Sequence, residues 1–473
     1  MADYQVAVIG AGPAGYVAAI RCAQLGMQVV CIDKQVDDKG KPALGGTCLN
    51  VGCIPSKALL DSSHHYSFLQ QQAKDHGIYA DNVRIDVSTM QGRKTKIVQQ
   101  LTRGIASLFK KNNITHLAGQ AVLHPDKHIN VTLNDGNVQT ITAETIIIAT
   151  GSSPVELPFA KFHSDKIVDS SGGLAFEEVP ERLGILGAGA IGLELGSIWS
   201  RLGSQVDILE LSPEFLPTVD RKIADLAFKT LQKQGINIGL NRKVTSVIVK
   251  GEEITVAFES ESQGRIEFYQ PDKLIVAVGR RPNTHHLGLE ALGIQLDNRG
   301  FIQVDENKQT HVAGIYAIGD VIGGPMLAHK GSEEGIMVAE RLAGLHSTVD
   351  YITVPWVIYT TPEIAWVGST EAQLQASNVN YKAGEFPLIA SGRAKALGET
   401  TGLVRMFADA KTERILGIHI FAPQASELIS EAVLAMAFEA SSEDLACTMH
   451  AHPTLSESLH EAAFAVDDRG IHI

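Results

Sequence analysis

Cys48 and Cys53, with four residues between them, are the side chains of this chain best suited to redox chemistry. They lie in Gly45-Gly46-Thr47-Cys48-Leu49-Asn50-Val51-Gly52-Cys53-Ile54-Pro55-Ser56-Lys57. Proline suits the first turn of a helix, where its missing N–H is no loss. A helix is therefore predicted to begin at or just after Cys53 and to run through Leu60. Its free N–H groups and dipole would favour a thiolate at Cys53. In a continuous helix, residues five apart are separated by about 7.5 Å of rise, whereas a disulfide spans about 4.4–6.8 Å between Cα atoms. Pairing needs an irregular segment, and Gly52 supplies the freedom. So short a loop adds little chain-entropy stabilisation, which suits a switch better than a staple. Spacing alone leaves two other readings, a pair of buried thiols or half of a metal site. The remaining cysteines, Cys22, Cys31 and Cys447, offer no second close pair for zinc or an iron–sulfur cluster.

Near the other end stands His450-Ala451-His452-Pro453-Thr454-Leu455-Ser456-Glu457. A carboxylate five residues after a histidine can hold one ring nitrogen and leave the other as a base. The His452-Pro453 bond is a candidate cis peptide. His450 is a rival for the same role, and an idle exposed histidine is the plainer alternative.

Something must position these groups. Val6-Ala7-Val8-Ile9 reads as a buried parallel strand. It is followed by Gly10-Ala11-Gly12-Pro13-Ala14-Gly15, a helix to about Gly26, and a second apolar run, Val29 to Ile32, ending on Asp33. Strand, glycine turn, helix, strand and terminal acid make a dinucleotide-binding pattern: the glycines let backbone approach a pyrophosphate, and the acid binds a ribose hydroxyl. The pattern recurs 177 positions later, where Gly187, Gly189, Gly192 and Glu210 stand for Gly10, Gly12, Gly15 and Asp33. Two units imply two dinucleotides; a degenerate, empty repeat is the alternative. A carboxylate at Glu210 accepts from a free 2′-hydroxyl and repels a 2′-phosphate, so NAD is expected over NADP.

Strands at Thr145–Ala149 and Lys273–Ala277 exit into Thr150-Gly151-Ser152 and Val278-Gly279-Arg280-Arg281-Pro282-Asn283. Another, Ile315–Ile318, exits into Gly319-Asp320, ahead of Pro325-Met326-Leu327-Ala328-His329 and a helix to Leu342. The stretch 220–270 alternates a helix with strands and carries no evident chemistry. Beyond about Leu345 the chain changes character, with strands near Val354–Tyr359, Leu403–Phe407 and Ile415–Phe421 and a helix over Ser426–Ala440. Expected boundaries are 1–150 (first dinucleotide unit), 151–278 (second dinucleotide unit), 279–345 (central, returning to the first) and 346–473 (a third kind of domain).

Composition narrows the class. Forty Lys and Arg against 53 Asp and Glu give a net charge of −13, which disfavours nucleic acid or an anionic membrane as main partner. No apolar run reaches transmembrane length, and a strand entered by about Gln5 leaves no room for a targeting peptide. The expectation is a cytoplasmic α/β protein with two Rossmann-like domains and a C-terminal α+β domain, using few cysteines and no metal.

Together these motifs resemble the flavoprotein disulfide reductases of the class I pyridine nucleotide-disulfide oxidoreductase family, and within it the dihydrolipoamide-oxidising branch. The resemblance covers nearly the whole chain and is most specific at Gly45–Leu60, Gly187–Trp199, Gly319-Asp320 and His452–Glu457. It implies a redox-active Cys48–Cys53 disulfide. It also implies FAD, tightly and non-covalently held by Gly10, Gly12, Gly15, Asp33, Gly46, Thr47, Lys57, Gly119, Thr150, Gly151, Ser152, Asp320, Met326, Leu327, Ala328 and His329. NAD would be held by Gly187, Gly189, Ile191, Gly192, Glu194, Glu210, Val244 and Gly279, and Lys57 would pair with Glu194 near the flavin. His452 and Glu457 would serve the partner subunit's active site in a homodimer. His452 would take a proton from a dihydrolipoyl thiol, and the thiolate would attack Cys48. Two electrons would then pass from Cys53 through FAD to NAD. Implied partners are the lipoyl domains and the peripheral subunit-binding domain of 2-oxoacid dehydrogenase acyltransferases, and the lipoyl protein of glycine cleavage. A glutathione-type reductase would want basic residues in place of Glu210, and a mercuric reductase would carry an extra C-terminal cysteine pair. A non-catalytic nucleotide-binding subunit needs none of Cys48, Cys53, Lys57, His452 or Glu457.

Overall fold

The computed structural model describes residues 2–260 and 264–473. The chain divides into two compact units, the first formed by Met1–Ser62, Asp86–Val155 and Gly279–Val349, the second by Ser63–Ile85, Glu156–Val278 and Asp350–Ile473. No helix among the described residues is long and apolar enough to cross a membrane.

In the first unit Tyr4–Ile9 lies parallel between Val29–Asp33 and Val138–Ile148. Thr115–Leu123 and Ile315–Ala317 extend this layer at its two edges. Strands Thr115–Leu123, His128–Leu133 and Val138–Ile148 also form an antiparallel meander, because the two outer strands outrun the parallel layer. The register sets Ile9 level with Ile32 and Ile148, and Ala317 level with Ile148. Gly10, Asp33, Thr150 and Asp320, which follow or end those strands, therefore emerge along one edge of the sheet, where open α/β sheets bind ligands.

The second unit repeats this plan. Ile236–Gly239, Gln205–Leu209, Arg182–Leu186, Lys273–Val276 and Ile167–Val168 form a parallel sheet in that order. Leu186 stands level with Leu209 and Val276, so Gly187, Glu210 and Ala277, which follow them, emerge together. Three antiparallel strands, Arg242–Lys250, Glu253–Ser260 and Arg265–Tyr269, flank it.

Residues beyond Asp350 build an antiparallel sheet ordered Trp356–Ile358, Glu363–Gly368, Ile415–Ala422, Leu403–Asp409 and Tyr381–Pro387. Helices Ala425–Ala437 and Glu457–Ala465 cover it around Val404, Met406, Ile418, Ile420 and Leu459. A Cβ on Gly384 would lie 2.0 Å from Ala462 O, so glycine alone lets helix Glu457–Ala465 lie directly on its strand. That seat fixes the position of Glu457.

Arg405, 1% exposed, ties this sheet to helix Arg221–Lys233. Its Nη1 donates to Asp220 Oδ2 at 2.6 Å and to Glu371 at 3.2 Å, while Nε donates to Glu385 at 2.8 Å. Asp220 in turn caps the helix through Lys222 N. Arg405→Leu leaves the Asp220 carboxylate buried without its counter-charge, at a cost of about 3–5 kcal/mol. Denaturant unfolding should show it as a lowered midpoint, and a loss below about 1 kcal/mol would refute this role.

Candidate active site

Gly46–Val51 and Cys53–Gln71 are consecutive helices broken at Gly52. A Cβ on Gly52 would lie 2.9 Å from Thr47 O and 3.3 Å from Cys48 Cα, so glycine alone lets the second helix start this close. The break carries Cys53 back onto Cys48, as the irregularity expected at Gly52 requires. The side chains of Cys48 and Cys53 are hydrogen-bonded to each other. The Cys53 hydrogen bond first, then burial and the charge of Cys53, push the Cys48 thiol well up, against the pull of Lys57. Burial, then the charge of Cys48, raises the Tyr16 phenol. Among the described residues no group of three or more His, Cys, Asp or Glu is placed to hold a metal ion.

The cysteine segment is pressed against the first glycine loop. Gly46 has φ +60°, and a Cβ there would lie 2.5 Å from Gly12 Cα. Asn50, which motif reading passed over, donates from Nδ2 to the carbonyls of Ala43, Leu44 and Gly46 at 3.2, 3.3 and 2.9 Å. An amide in the middle of a short helix, where its propensity is poor, was the available signal.

The two glycine loops match closely. Gly10 and Gly187 have φ of +103° and +102°. A Cβ on Gly15 would lie 1.9 Å from Gly10 O, and one on Gly192 2.0 Å from Gly187 O. Asp33 Oδ2 accepts from Ala11 N at 2.6 Å, and Glu210 Oε2 accepts from Ala188 N at 2.7 Å. Gly12 and Gly189 cap helices Pro13–Gln24 and Ala190–Arg201. A Cβ on Gly189 would meet nothing within 4 Å, and one on Gly12 only Gly46 Cα at 3.9 Å. Each helix start keeps open the space a pyrophosphate occupies.

Around the first loop, Ser152 Oγ donates to Asp320 Oδ2 at 2.5 Å, and Arg280 Nε donates to Ser152 Oγ at 2.7 Å. Arg280 was not singled out from the sequence; its place next to Gly279 was the only hint. Thr150 Oγ1 donates to Asn283 O at 2.7 Å, and Gly151 turns between them with φ +69°. Thr47 is exposed in the first turn of its helix, and half-buried Lys57 lies one helical turn beyond Cys53. Met326 and Leu327 lead into helix Ala328–Leu342, whose first residues are Ala328 and His329. Gly119 has a packing reason of its own, since a Cβ there would lie 2.4 Å from Thr132 O in the meander. Around the second loop, Ile191 is 37% exposed on the first turn of its helix. Buried Glu194 accepts from Tyr359 N at 3.2 Å. Gly279, φ +130°, has open space at its Cβ position, whereas Val244 packs against the core.

His452 and Glu457 come together, Nδ1 to Oε1 at 2.8 Å, with His452-Pro453 cis. Thr454 N donates to the second Glu457 oxygen at 2.8 Å. Burial works to raise the Glu457 pKa, but the Thr454 N–H and His452 outweigh it and hold it below the usual range. This contribution to stability is present above the ordinary carboxylate pKa and is lost as pH falls through the lowered one. His452 is 78% exposed, whereas His450 is buried with both nitrogens engaged, Nδ1 by Thr448 O at 2.8 Å and Nε2 by Glu431 at 2.6 Å. Of these two histidines, only His452 keeps a ring nitrogen outside these hydrogen bonds that could act as a base.

The model of the pyridine nucleotide-disulphide oxidoreductase family matches residues 4–335, and that of its dimerisation domain residues 354–463. The chain belongs to this family. The dihydrolipoyl dehydrogenase of Cupriavidus necator is 50% identical, over 100% of this chain and 99% of its own length. The mitochondrial dihydrolipoyl dehydrogenase of Pisum sativum is 47% identical, over 100% of this chain and 93% of its own. Among solved structures, the Cu(II) complex of the HOCl-induced flavoprotein disulfide reductase RclA from Escherichia coli aligns with a TM-score of 0.86 at 31% identity, covering 98% of this chain and 99% of that one. This pyridine nucleotide-disulphide oxidoreductase is an enzyme of a group that uses FAD and NAD(H). Its two open glycine loops, each with a carboxylate at the end of the second strand, fit two such dinucleotides.

Proposed function

We propose that this enzyme oxidises protein-bound dihydrolipoamide to lipoamide with NAD+ as acceptor, as the shared reductase of 2-oxoacid dehydrogenase and glycine cleavage complexes. The observation that carries this reading is the Cys48–Cys53 pair seated against the first dinucleotide loop through the Gly12–Gly46 contact. Residues 1–150 and 279–345 would hold FAD, through Gly10–Gly15, Asp33, Thr150–Ser152 and Asp320. Residues 151–278 would hold NAD, through Gly187–Gly192 and Glu210. Residues 346–473 would form the homodimer interface, the role that the matched dimerisation domain suggests.

Catalysis starts from the oxidised pair. His452 of the partner subunit, steadied by Glu457, takes the proton of one dihydrolipoyl thiol. The resulting thiolate attacks Cys48, breaking the Cys48–Cys53 bond and forming a mixed disulfide. The second substrate thiol displaces Cys48, which releases lipoyl disulfide and leaves the dithiol. The substrate thus gives up two electrons and two protons. FAD, when bound, supplies the two-electron relay between this dithiol and the nicotinamide. Cys53, at a helix start with Lys57 one turn on, is placed where a thiolate would be favoured, and would be the sulfur that passes the electrons on. The products are NADH and a proton.

Anaerobic titration of the purified enzyme with dihydrolipoamide tests this. A long-wavelength absorption band should appear with two electrons, then vanish as NAD+ yields one NADH per dihydrolipoamide. NADP+ should react at least about 100-fold more slowly, because Glu210 repels its phosphate. A yellow enzyme that NADH reduces but dihydrolipoamide does not would point to another disulfide substrate.

A further inference from the structure

Helix Ala328–Leu342 carries Lys330 and Glu334 one turn apart, each only 1% exposed. Lys330 Nζ donates to Gly319 O at 3.0 Å, to Gly323 O at 3.1 Å and to Glu334 Oε2 at 3.3 Å, which uses all three of its donors. The same Glu334 oxygen accepts from Gly319 N at 2.8 Å. One buried ion pair therefore grips both ends of the turn Gly319–Ile322, which presents Asp320. Glu334 also faces Lys308, whose ammonium burial holds below its usual range against the pull of Glu334.

The helix bearing this pair lies on the first glycine loop as well. A Cβ on Gly331 would lie 3.0 Å from Ala14 Cβ, and one on Gly335 2.7 Å from Ala14 O. Ala14 belongs to the helix that starts at the Gly12 cap. The helix thus ties the pyrophosphate end of the first dinucleotide site to the Asp320 turn. A buried pair of charges is poor at adding net stability and well suited to fixing one geometry.

We infer that Lys330 and Glu334 are positioning residues for the flavin, acting through Asp320. They hold the Asp320 carboxylate, which Ser152 also engages, at a fixed place along the sheet edge where a ribityl hydroxyl would meet it. This rests on the assignment of FAD to the first glycine loop.

The test is flavin release from the holoprotein, read as a rise in flavin fluorescence, for Lys330→Met and Glu334→Gln, alone and combined with Asp320→Asn. Each clamp variant should speed release about tenfold, the worth of one charge-assisted hydrogen bond. Combined with Asp320→Asn, neither should add further acceleration, because the clamp acts only through that carboxylate. Release at the original rate would overturn the inference. So would an equal acceleration in the Asp320→Asn background, which is what general loosening of the fold would give. Should Lys330→Met not fold, Lys330→Met with Glu334→Leu removes both buried charges and should fold, yet still release flavin quickly. An unaltered protein purified without FAD would instead sink the flavin assignment itself. A yellow protein indifferent to Lys330 and Glu334 would sink only the clamp.

Discussion

Cys48→Ser should give a protein that stays yellow and no longer turns over dihydrolipoamide. Serine has nearly the shape of cysteine, and the first glycine loop meets the cysteine segment through Gly46 rather than through Cys48. FAD binding should survive, and so should flavin reduction by NADH. Thiol–disulfide exchange cannot: with no sulfur at position 48 there is no disulfide to attack, and turnover should fall at least about 1000-fold. The assay is dihydrolipoamide-dependent NADH formation beside NADH reduction of an artificial acceptor. Turnover above a few per cent, on the order of tens of times that expectation, would refute the role of Cys48. Cys447, exposed and hydrogen-bonded to Glu443 at 3.4 Å, is the control, and its serine variant should behave as the parent does.

His452→Gln should be nearly as damaging, with a different signature. Glutamine can still donate to Glu457, so the local fold should hold, but no ring nitrogen remains to take the substrate proton. Loss of a general base costs about 100- to 10,000-fold. The deficit in kcat/KM for dihydrolipoamide should shrink as pH rises past about 8.5, where substrate thiols ionise unaided. A deficit that stays constant with pH would argue that His452 binds substrate rather than deprotonates it. His450→Gln breaks the contact with Glu431 and should lack this recovery at high pH.

Much of this was legible because backbone geometry wrote it into residue types. Gly10 and Gly187 need left-handed φ, Gly15 and Gly192 need to touch a carbonyl, and each requirement leaves only glycine. The His452–Glu457 spacing was equally readable, since five residues across a tight turn into a helix bring the two side chains together. Lys330 and Glu334 were not legible, because an i, i+4 pair reads as an ordinary solvated helix face. Only the fold shows both to be buried. Strand Tyr381–Pro387 escaped for the opposite reason: a central glycine and a terminal proline read as a loop, while in the fold Gly384 is the seat of a helix. The helix Val87–Lys111 was passed over because its many charges and two glycines hide its apolar stripe.

The Glu210 carboxylate does two jobs at once. While Oε2 secures Ala188 N inside the second glycine loop, Oε1 accepts from Ser212 N at 2.7 Å on the way out of the strand. In the proposed role its charge would select NAD over NADP, while its oxygens pin two backbone segments at the second glycine loop. Conversion of this enzyme to NADP therefore calls for more than a basic residue at position 210. An arginine there offers donors to two N–H groups that need acceptors, and the loop would loosen while its specificity changed. A successful conversion must first give Ala188 and Ser212 another acceptor.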